Sequence, residues 1–484
     1  MSTAGFPVGL GLNHPIDGLI FRTENVTIDC MNSDATPPHG VPAFVPPRSH
    51  RVSLHLLIVV GVVFLVLAIG LGLLVTRLDR LPRIAPSVAN LSDGGPQSLI
   101  MHDTPVCVPT VAGGAAVASA NRSPFGLAWF HKPPQDGTTA AQLAAQSSYI
   151  HLTGAADIPF RDELRSAGYK GRILTYTGMN SIEGPGPYTD GSQPCDANYT
   201  PHDNQLAFFK GDFCTYINGH ESWFLHNGAG QRLVDDYFGS GRITYMMNPA
   251  DPGWRAFAMQ RLTYIKDVWF YDGVWLDNVD LDLTRMTSEL KNSDGKVQEY
   301  STDAAWEQAS AGWLAEARKT LGDNYPIWAN LVGGGLRADA WDAYAPYLDG
   351  AMDESFAVKW LDGWRSTEQW QAQIQRAGRW LAAGKGLVMV GQGPQDDTDR
   401  MRFSLASYLL VAQGDGTQST FRYTRYDTYY EQMWLYPEYD TARQLGAPTD
   451  TCSEVSPGLW RRDFQRGYVQ VDLSTHQGSL VVRP

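Results

Sequence analysis

The sequence predicts an α/β chain built on a (β/α)8 barrel, with a small β-rich domain at its C-terminal end. Three observations predict it. From Phe125 onward, short apolar runs alternate with segments of helical periodicity, as βα units do. Eight such runs fall within about 300 residues, a length that one closed parallel barrel with an insertion occupies. The first run is followed by His131-Lys132-Pro133-Pro134-Gln135, where a doubly wound sheet would usually carry a glycine-rich phosphate turn.

In order, the expected strands are Gly126–His131, Tyr149–Thr153, Arg172–Thr177, Gly273–Asp277, Ile327–Leu331, Gly350–Glu354, Gly386–Val390 and Thr417–Tyr423. The helices between them are well punctuated. Asp251-Pro252 supplies an N-cap and a proline at the first helical position, and Trp254, Phe257, Ala258, Leu262 and Ile265 recur at helical spacing. Trp306, Ser310, Trp313, Leu314, Ala317 and Leu321 form a second stripe, closed by Gly322. Ser366 through Gln369 reads as a capping box that opens a third, terminated by Gly384. Tryptophans at such spacing belong to a core. Residues 181–241 exceed an ordinary loop and hold two cysteines and Gly-Pro-Gly-Pro, so they read as a disulfide-pinned insertion overhanging the strand ends. The barrel with this insertion is assigned to 123–423. Beyond Thr424 helical patterning fades, and Gly458–Phe464, Tyr468–Leu473 and Ser479–Val482 alternate as antiparallel strands do, giving a C-terminal β-rich domain over 424–484.

Before the barrel, residues 1–53 are rich in Pro, Gly, Asn and Thr without a period and read as a disordered cytoplasmic tail. Leu54–Val75 holds no charged residue and is long enough to cross a bilayer as a helix. Arginines flank both ends, so the positive-inside rule leaves its orientation open. Residues 76–122 have the composition of a stalk. Cys30 precedes the apolar run and four cysteines follow it, an even number that fits two disulfides in an oxidising compartment. Of the three connectivities possible, the preferred one joins Cys195 to Cys214 locally and Cys107 to Cys452 across the folded part. The expected topology is single-pass, with the N-terminus cytoplasmic and the barrel extracellular or periplasmic. A net charge of −13 without basic runs argues against nucleic acid as a partner, while 15 Trp and 22 Tyr suit clefts that stack sugar rings.

In such a barrel the site lies at the carboxyl ends of the strands. The residues there are Trp129 and His131, Thr153, Tyr176 and Asn180, Asp277, Asn278 and Asp280, Asn330, Asp353 and Glu354, Gln392, and Arg422 with Tyr423. Carboxylates end the fourth and sixth strands, and a pair facing one cleft is what glycosidic cleavage needs. Asp277 is the expected nucleophile or base, and Glu354 the acid. Trp129, His131, Tyr176, Asn180, Asn278, Asn330, Gln392 and Tyr423 are the expected substrate contacts. The plain alternative for Glu354 is an ion pair with Lys359 or Arg337.

Met246-Met247-Asn248-Pro249-Ala250-Asp251-Pro252-Gly253-Trp254-Arg255, a helix, and then Tyr271-Asp272-Gly273-Val274-Trp275-Leu276-Asp277-Asn278 resemble a recurring block of the hypothetical glycosyl-hydrolase-like TIM-barrel families, the family-fifteen-like group among them. They resemble the polygalactosaminidase-like barrels more distantly. Met352-Asp353-Glu354-Ser355 is similar to the acidic end of the sixth strand in these families, and Pro457 through Gly467 to their terminal β-region. The resemblance spans about Phe125–Val482. It implies a glycoside hydrolase with Asp277 as the catalytic residue of the fourth strand and Glu354 as its partner.

The expected partner is a polysaccharide or oligosaccharide, with no cofactor and no metal. A calcium loop over Asn278, Asp280, Asp282 and Glu289 is disfavoured, because Leu283 stands where the tight turn wants glycine. No Gly-X-Ser-X-Gly, His-Glu-X-X-His or Walker loop occurs. The rival from another class is a non-catalytic carbohydrate-binding barrel at the cell surface, which would keep the aromatics without a competent acid pair.

Overall fold

The computed structural model describes residues 106–107, 123–186, 195–235, 243–360, 362–413, 416, 418–425 and 430–483. The tail 1–53, the apolar run 54–75 and nearly all of the stalk 76–122 lie outside them. Among the described residues no helix is long and apolar enough to cross a membrane.

Eight parallel strands close into a barrel, following one another around the ring in chain order. They are Leu127–Trp129, Ser147–Leu152, Ile173–Gly178, Gly273–Asp280, Ile327–Val332, Gly350–Asp353, Gly386–Gln392 and Ser419–Thr424. Each expected strand is present, its ends moved by a few residues. Residues of one parity face inward. Ala128, Phe130, Tyr149, Leu174, Trp275, Met352, Val388 and Val390 form the barrel's own core, with Tyr176 and Trp328 packed against it. The other parity meets the helices. Trp328 lies across the bottom of the barrel. A Cβ on Gly350 or Gly386 would stand 2.3 Å or 2.2 Å from its ring, so both strands begin with glycine to admit it.

The capped helices form as their sequences dictate. The Asp251 carboxylate accepts from the Gly253 and Trp254 amides at 2.8 and 3.1 Å and opens Pro252–Tyr264. Thr302 caps Asp303–Leu321, which stops at Gly322 with φ +83°. Ser366 and Gln369 complete the capping box of Thr367–Ala382. The helix Pro437–Gln444 corrects the expectation that helical patterning ends near Thr424. Its Tyr439 ring stacks on Phe125 at 4.9 Å, so this helix belongs to the barrel's outer layer. At eight residues, with only Tyr439 and Ala442 buried, it is too short to show a period.

The insertion folds into a three-stranded antiparallel sheet of Ser181–Gly184, Val234–Asp235 and Ile243–Met246. Its last strand runs past the expected boundary at 241 because Met246 pairs with Ser181. Cys195 is bonded to Cys214 and Cys107 to Cys452, with Cα separations of 5.2 and 5.5 Å. The C-terminal sheet has four antiparallel strands, Ser453–Ser456, Leu459–Phe464, Gly467–Asp472 and Gln477–Val482. The first is an exposed edge whose short polar sequence gave no signal. Buried Arg462 ties this sheet to the barrel. Its Nη1 donates to the carbonyls of Leu409, Leu410 and Ala412 at 3.2, 3.0 and 2.7 Å, capping the helix Thr398–Val411.

Candidate active site

A cavity of about 1130 Å³ opens at the carboxyl ends of the strands. Its floor is aromatic. The His151 ring stacks on Trp275 at 4.3 Å with 20° between planes, and on Phe130 at 5.7 Å. Burial holds the His151 pKa well below its ordinary value, with His131 and Arg422 acting in the same direction, so the floor is uncharged.

Asp277 rises from this floor. The fourth strand carries an irregularity between Leu276 and Val279, and Asn278 has φ +52°. That bulge turns Asp277 and Asn278 both toward the cavity, where a regular strand would show only one of them. Asp277 Oδ2 accepts from the Tyr176 hydroxyl at 2.5 Å and from Asn278 Nδ2 at 3.0 Å, and Oδ1 accepts from Asn330 Nδ2 at 3.1 Å. Three donors fix the carboxylate in rotation.

Glu354 follows the sixth strand. Its Oε2 accepts from the same Asn330 Nδ2 at 2.7 Å, and its Oε1 from the Tyr430 hydroxyl at 2.6 Å. Gln392 Nε2 donates to the Glu354 carbonyl at 2.9 Å and to the Tyr430 oxygen at 3.2 Å. Burial first, and the Asp277 charge second, push the Glu354 pKa up to about 8 against the hydrogen bonds from Tyr430 and Asn330. Glu354 makes no ion pair with Lys359 or Arg337, the plain alternative; Arg337 pairs with Glu307 and Asp339.

One amide nitrogen therefore holds both carboxylates. At 3.1 and 2.7 Å from that nitrogen, the two acceptor oxygens lie less than about 6 Å apart. Neighbouring carboxylates do other work. Asp272 pairs with Arg165 and accepts from the Ile173 amide at 2.7 Å. Asp280 is buried beside Arg285 at 3.7 Å, its pKa raised to about 6 by burial.

Of the expected contacts, His131, Tyr176, Asn278 and Asn330 line the cavity with Asp277 and Glu354. Four do not. Trp129 is fully buried and packs in the outer core, with Arg422 over its ring at 4.4 Å. Tyr423 is buried in the same layer, 6.2 Å from Trp434. Asn180, past the end of the third strand, is buried and turned toward Asp280 at 3.5 Å. Gln392 sits behind Glu354 and positions it. Trp129 and Tyr423 carry the parity that faces the helices, a distinction that being near a strand end does not reveal.

Tyr430 is the principal residue that strand ends could not supply. It lies in the segment after the eighth strand, and buried Arg422 holds that segment through the carbonyls of Tyr430 and Gln432 at 2.7 and 3.0 Å. The only signal was the aromatic run Tyr426–Trp434 directly after the eighth strand. The insertion adds Ser181, Glu183, Gln205 and Thr244 to the rim.

Residues 195–468, more than half of the chain, match the model of a family described as Hypothetical glycosyl hydrolase family 15. A comparison with curated protein sequences returned no match. Among solved structures, a cycloisomaltooligosaccharide glucanotransferase from Paenibacillus sp. is similar at 13% identity and TM-score 0.35, over 56% of this chain and 39% of that one. An alpha-galactosidase from Thermus thermophilus is similar at 12% identity and TM-score 0.38, over 73% and 67%. A maltogenic alpha-amylase from Thermotoga neapolitana is similar at 8% identity and TM-score 0.38, over 71% and 84%. The chain thus spans well under half the length of the first of these. These likenesses are of fold alone and assign no residue a role.

Proposed function

The chain belongs to hypothetical glycosyl hydrolase family 15, and on that premise we propose that it cleaves O-glycosidic bonds of a polysaccharide or oligosaccharide with retention of anomeric configuration. The observation that carries this reading is the double hydrogen bond of Asn330. It holds one oxygen of Asp277 and one of Glu354 less than about 6 Å apart, which suits the roughly 5–5.5 Å of retaining enzymes, whereas inversion needs roughly 6.5–9.5 Å to admit a water.

Asp277 is the nucleophile. Tyr176, Asn278 and Asn330 hold its carboxylate in place and aim it. Glu354 is the acid, kept protonated at neutral pH by burial and by the Asp277 charge. In the first step an Asp277 oxygen forms a bond to the anomeric carbon as the bond to the leaving oxygen breaks, and that oxygen takes the Glu354 proton. Asp277 is then an ester without charge, so one cause of the raised Glu354 pKa is gone. Glu354 is thereby readied to take a proton from the water that hydrolyses the ester, which restores both groups. His131, Tyr176 and the His151–Trp275 floor supply ring faces and polar groups for the sugar.

We also propose that the apolar run 54–75 anchors the chain with the barrel outside the cytoplasm. Two disulfides, all four of whose cysteines follow the apolar run, support an oxidising compartment. Retention of the full chain in membranes after carbonate washing, with the barrel open to external protease, tests this.

The catalytic reading is tested with the full chain and a panel of exopolysaccharides, following the first-formed anomer by proton NMR. Reducing ends that keep the substrate's configuration, absent with Asp277→Asn, are expected. Binding without turnover by the wild type would replace the reading with a carbohydrate-binding barrel.

A further inference from the structure

The cavity wall beyond Glu354 carries two guanidinium groups, Arg365 and Arg376. Each is anchored through Nε and Nη2. Arg365 Nε and Nη2 donate to the Ser355 carbonyl at 3.2 and 2.7 Å, and Nη2 also reaches Ser355 Oγ at 2.7 Å. Arg376 Nε and Nη2 donate to the Arg337 carbonyl at 3.1 and 2.9 Å, and Nη2 to the Gly335 carbonyl at 2.8 Å. All these acceptors are neutral. Among the described residues neither arginine makes an ion pair, although Arg376 is only 6% exposed. The carboxylate that acts on both, Asp353, is held instead by Gln373 Nε2 at 2.7 Å and by the Ser355 amide at 3.3 Å.

The opposite wall is different. Glu183 is engaged by His202 at 3.0 Å and Tyr199 at 3.1 Å, and Asp235 by Arg285 at 3.0 Å. Glu289 is exposed at the rim. The acidic side of the cavity is matched internally or bathed in water; on the basic side Arg376 is buried and Arg365 half-buried, and neither has a counter-ion among the described residues. Withdrawing a cation from water without a counter-ion is unfavourable, and a guanidinium stays charged rather than shed its proton. A fork with free N–H groups facing a cavity suits a planar or tetrahedral oxyanion.

We propose that the sugar on the Glu354 side of the scissile bond is acidic, its carboxylate or sulfate ester taken by Arg365 and Arg376. This rests on the glycosidase reading for the direction in which the chain of sugars lies. The whole chain carries −13 and repels polyanions at a distance, so the preference is one of contact.

The full chain carrying Asp277→Asn is titrated calorimetrically with tetragalacturonate and its carboxyl-reduced form. A second arm uses a sulfated galactan tetrasaccharide and its desulfated form. In one arm the anionic member is expected to bind at least about tenfold tighter, and that arm names the substituent. Arg365→Gln in the same background is expected to reduce the preference below about threefold. Arg376→Lys, which keeps the charge but loses the fork to Gly335 and Arg337, is the second variant, with near-ultraviolet circular dichroism as the check of folding. Equal affinity for both members in both arms overturns the proposal, as does a preference that survives both substitutions. Failure of the glycosidase reading looks different: the preference is intact, but the wild type releases no reducing ends from the ligand it binds.

Discussion

The Tyr430 hydroxyl donates a 2.6 Å hydrogen bond to Oε1 of Glu354, joining the segment after the last barrel strand to the acid that follows the sixth. The bond favours the ionised carboxylate and so opposes burial, which favours the protonated one. Removing it with Tyr430→Phe therefore raises the Glu354 pKa. The expected outcome is a basic limb of kcat/KM displaced to higher pH, with kcat lower by about tenfold, because the proposed second step uses Glu354 as a base. A pH–rate profile of both proteins checks it; an unmoved limb would show that Tyr430 only fills space.

The wild-type profile has its own signature. In the proposed mechanism Glu354 works first as an acid, so kcat/KM is expected to fall as pH rises through about 8. Asp277→Asn removes a neighbouring negative charge, the second cause of the raised pKa, while burial remains. Carbon NMR of Glu354 in that variant is expected to show a pKa below the wild-type value yet still above an ordinary glutamate. A value that does not fall would mean that the two carboxylates do not sense each other.

Much of this geometry was legible in the residues. Short apolar runs with capped helices between them give the barrel because burial on both faces demands them. Asp277 and Glu354 follow from where the fourth and sixth strands end. Side-chain parity was less legible: Trp129 and Phe130 are adjacent and both buried, yet only Phe130 reaches the cavity. The bulge at Asn278 was invisible too, since only its backbone conformation marks it. Tyr430 and Arg365 reach the cavity from connecting segments, whose course depends on tertiary contacts such as the Arg422 clamp and carries no period.

Stability should also report Glu354. Its folded pKa is raised well above the unfolded value near 4.3, so the folded state binds the extra proton between those values. The stability associated with that proton is complete below the unfolded pKa and is lost as pH rises through about 8. Glu354→Gln removes the buried charge without changing shape. The variant is expected to match the wild type near pH 4 and to melt about 2–4 °C higher at pH 8, while losing nearly all activity. Melting curves at the two pH values check the sign. A variant less stable at both would place the weight on lost hydrogen bonds with Asn330 and Tyr430.

Nucleophile and acid are separable by chemical rescue, because a small anion can enter the space a truncated carboxylate leaves. In Asp277→Gly, azide is expected to attack the anomeric carbon from the nucleophile's side, in one displacement. With an activated aryl glycoside the product is then a glycosyl azide of inverted configuration. In Glu354→Ala, Asp277 still forms the ester when the leaving group needs no proton, and the missing base slows its hydrolysis. Azide then attacks the ester and gives a glycosyl azide of retained configuration, with turnover restored by about tenfold or more. Opposite configurations from the two variants, read by proton NMR, follow only if Asp277 attacks carbon and Glu354 moves the proton. Inverted azide from the Glu354 variant would exchange the roles, and no rescue of either with unchanged substrate binding would remove the carboxylate pair from the chemistry.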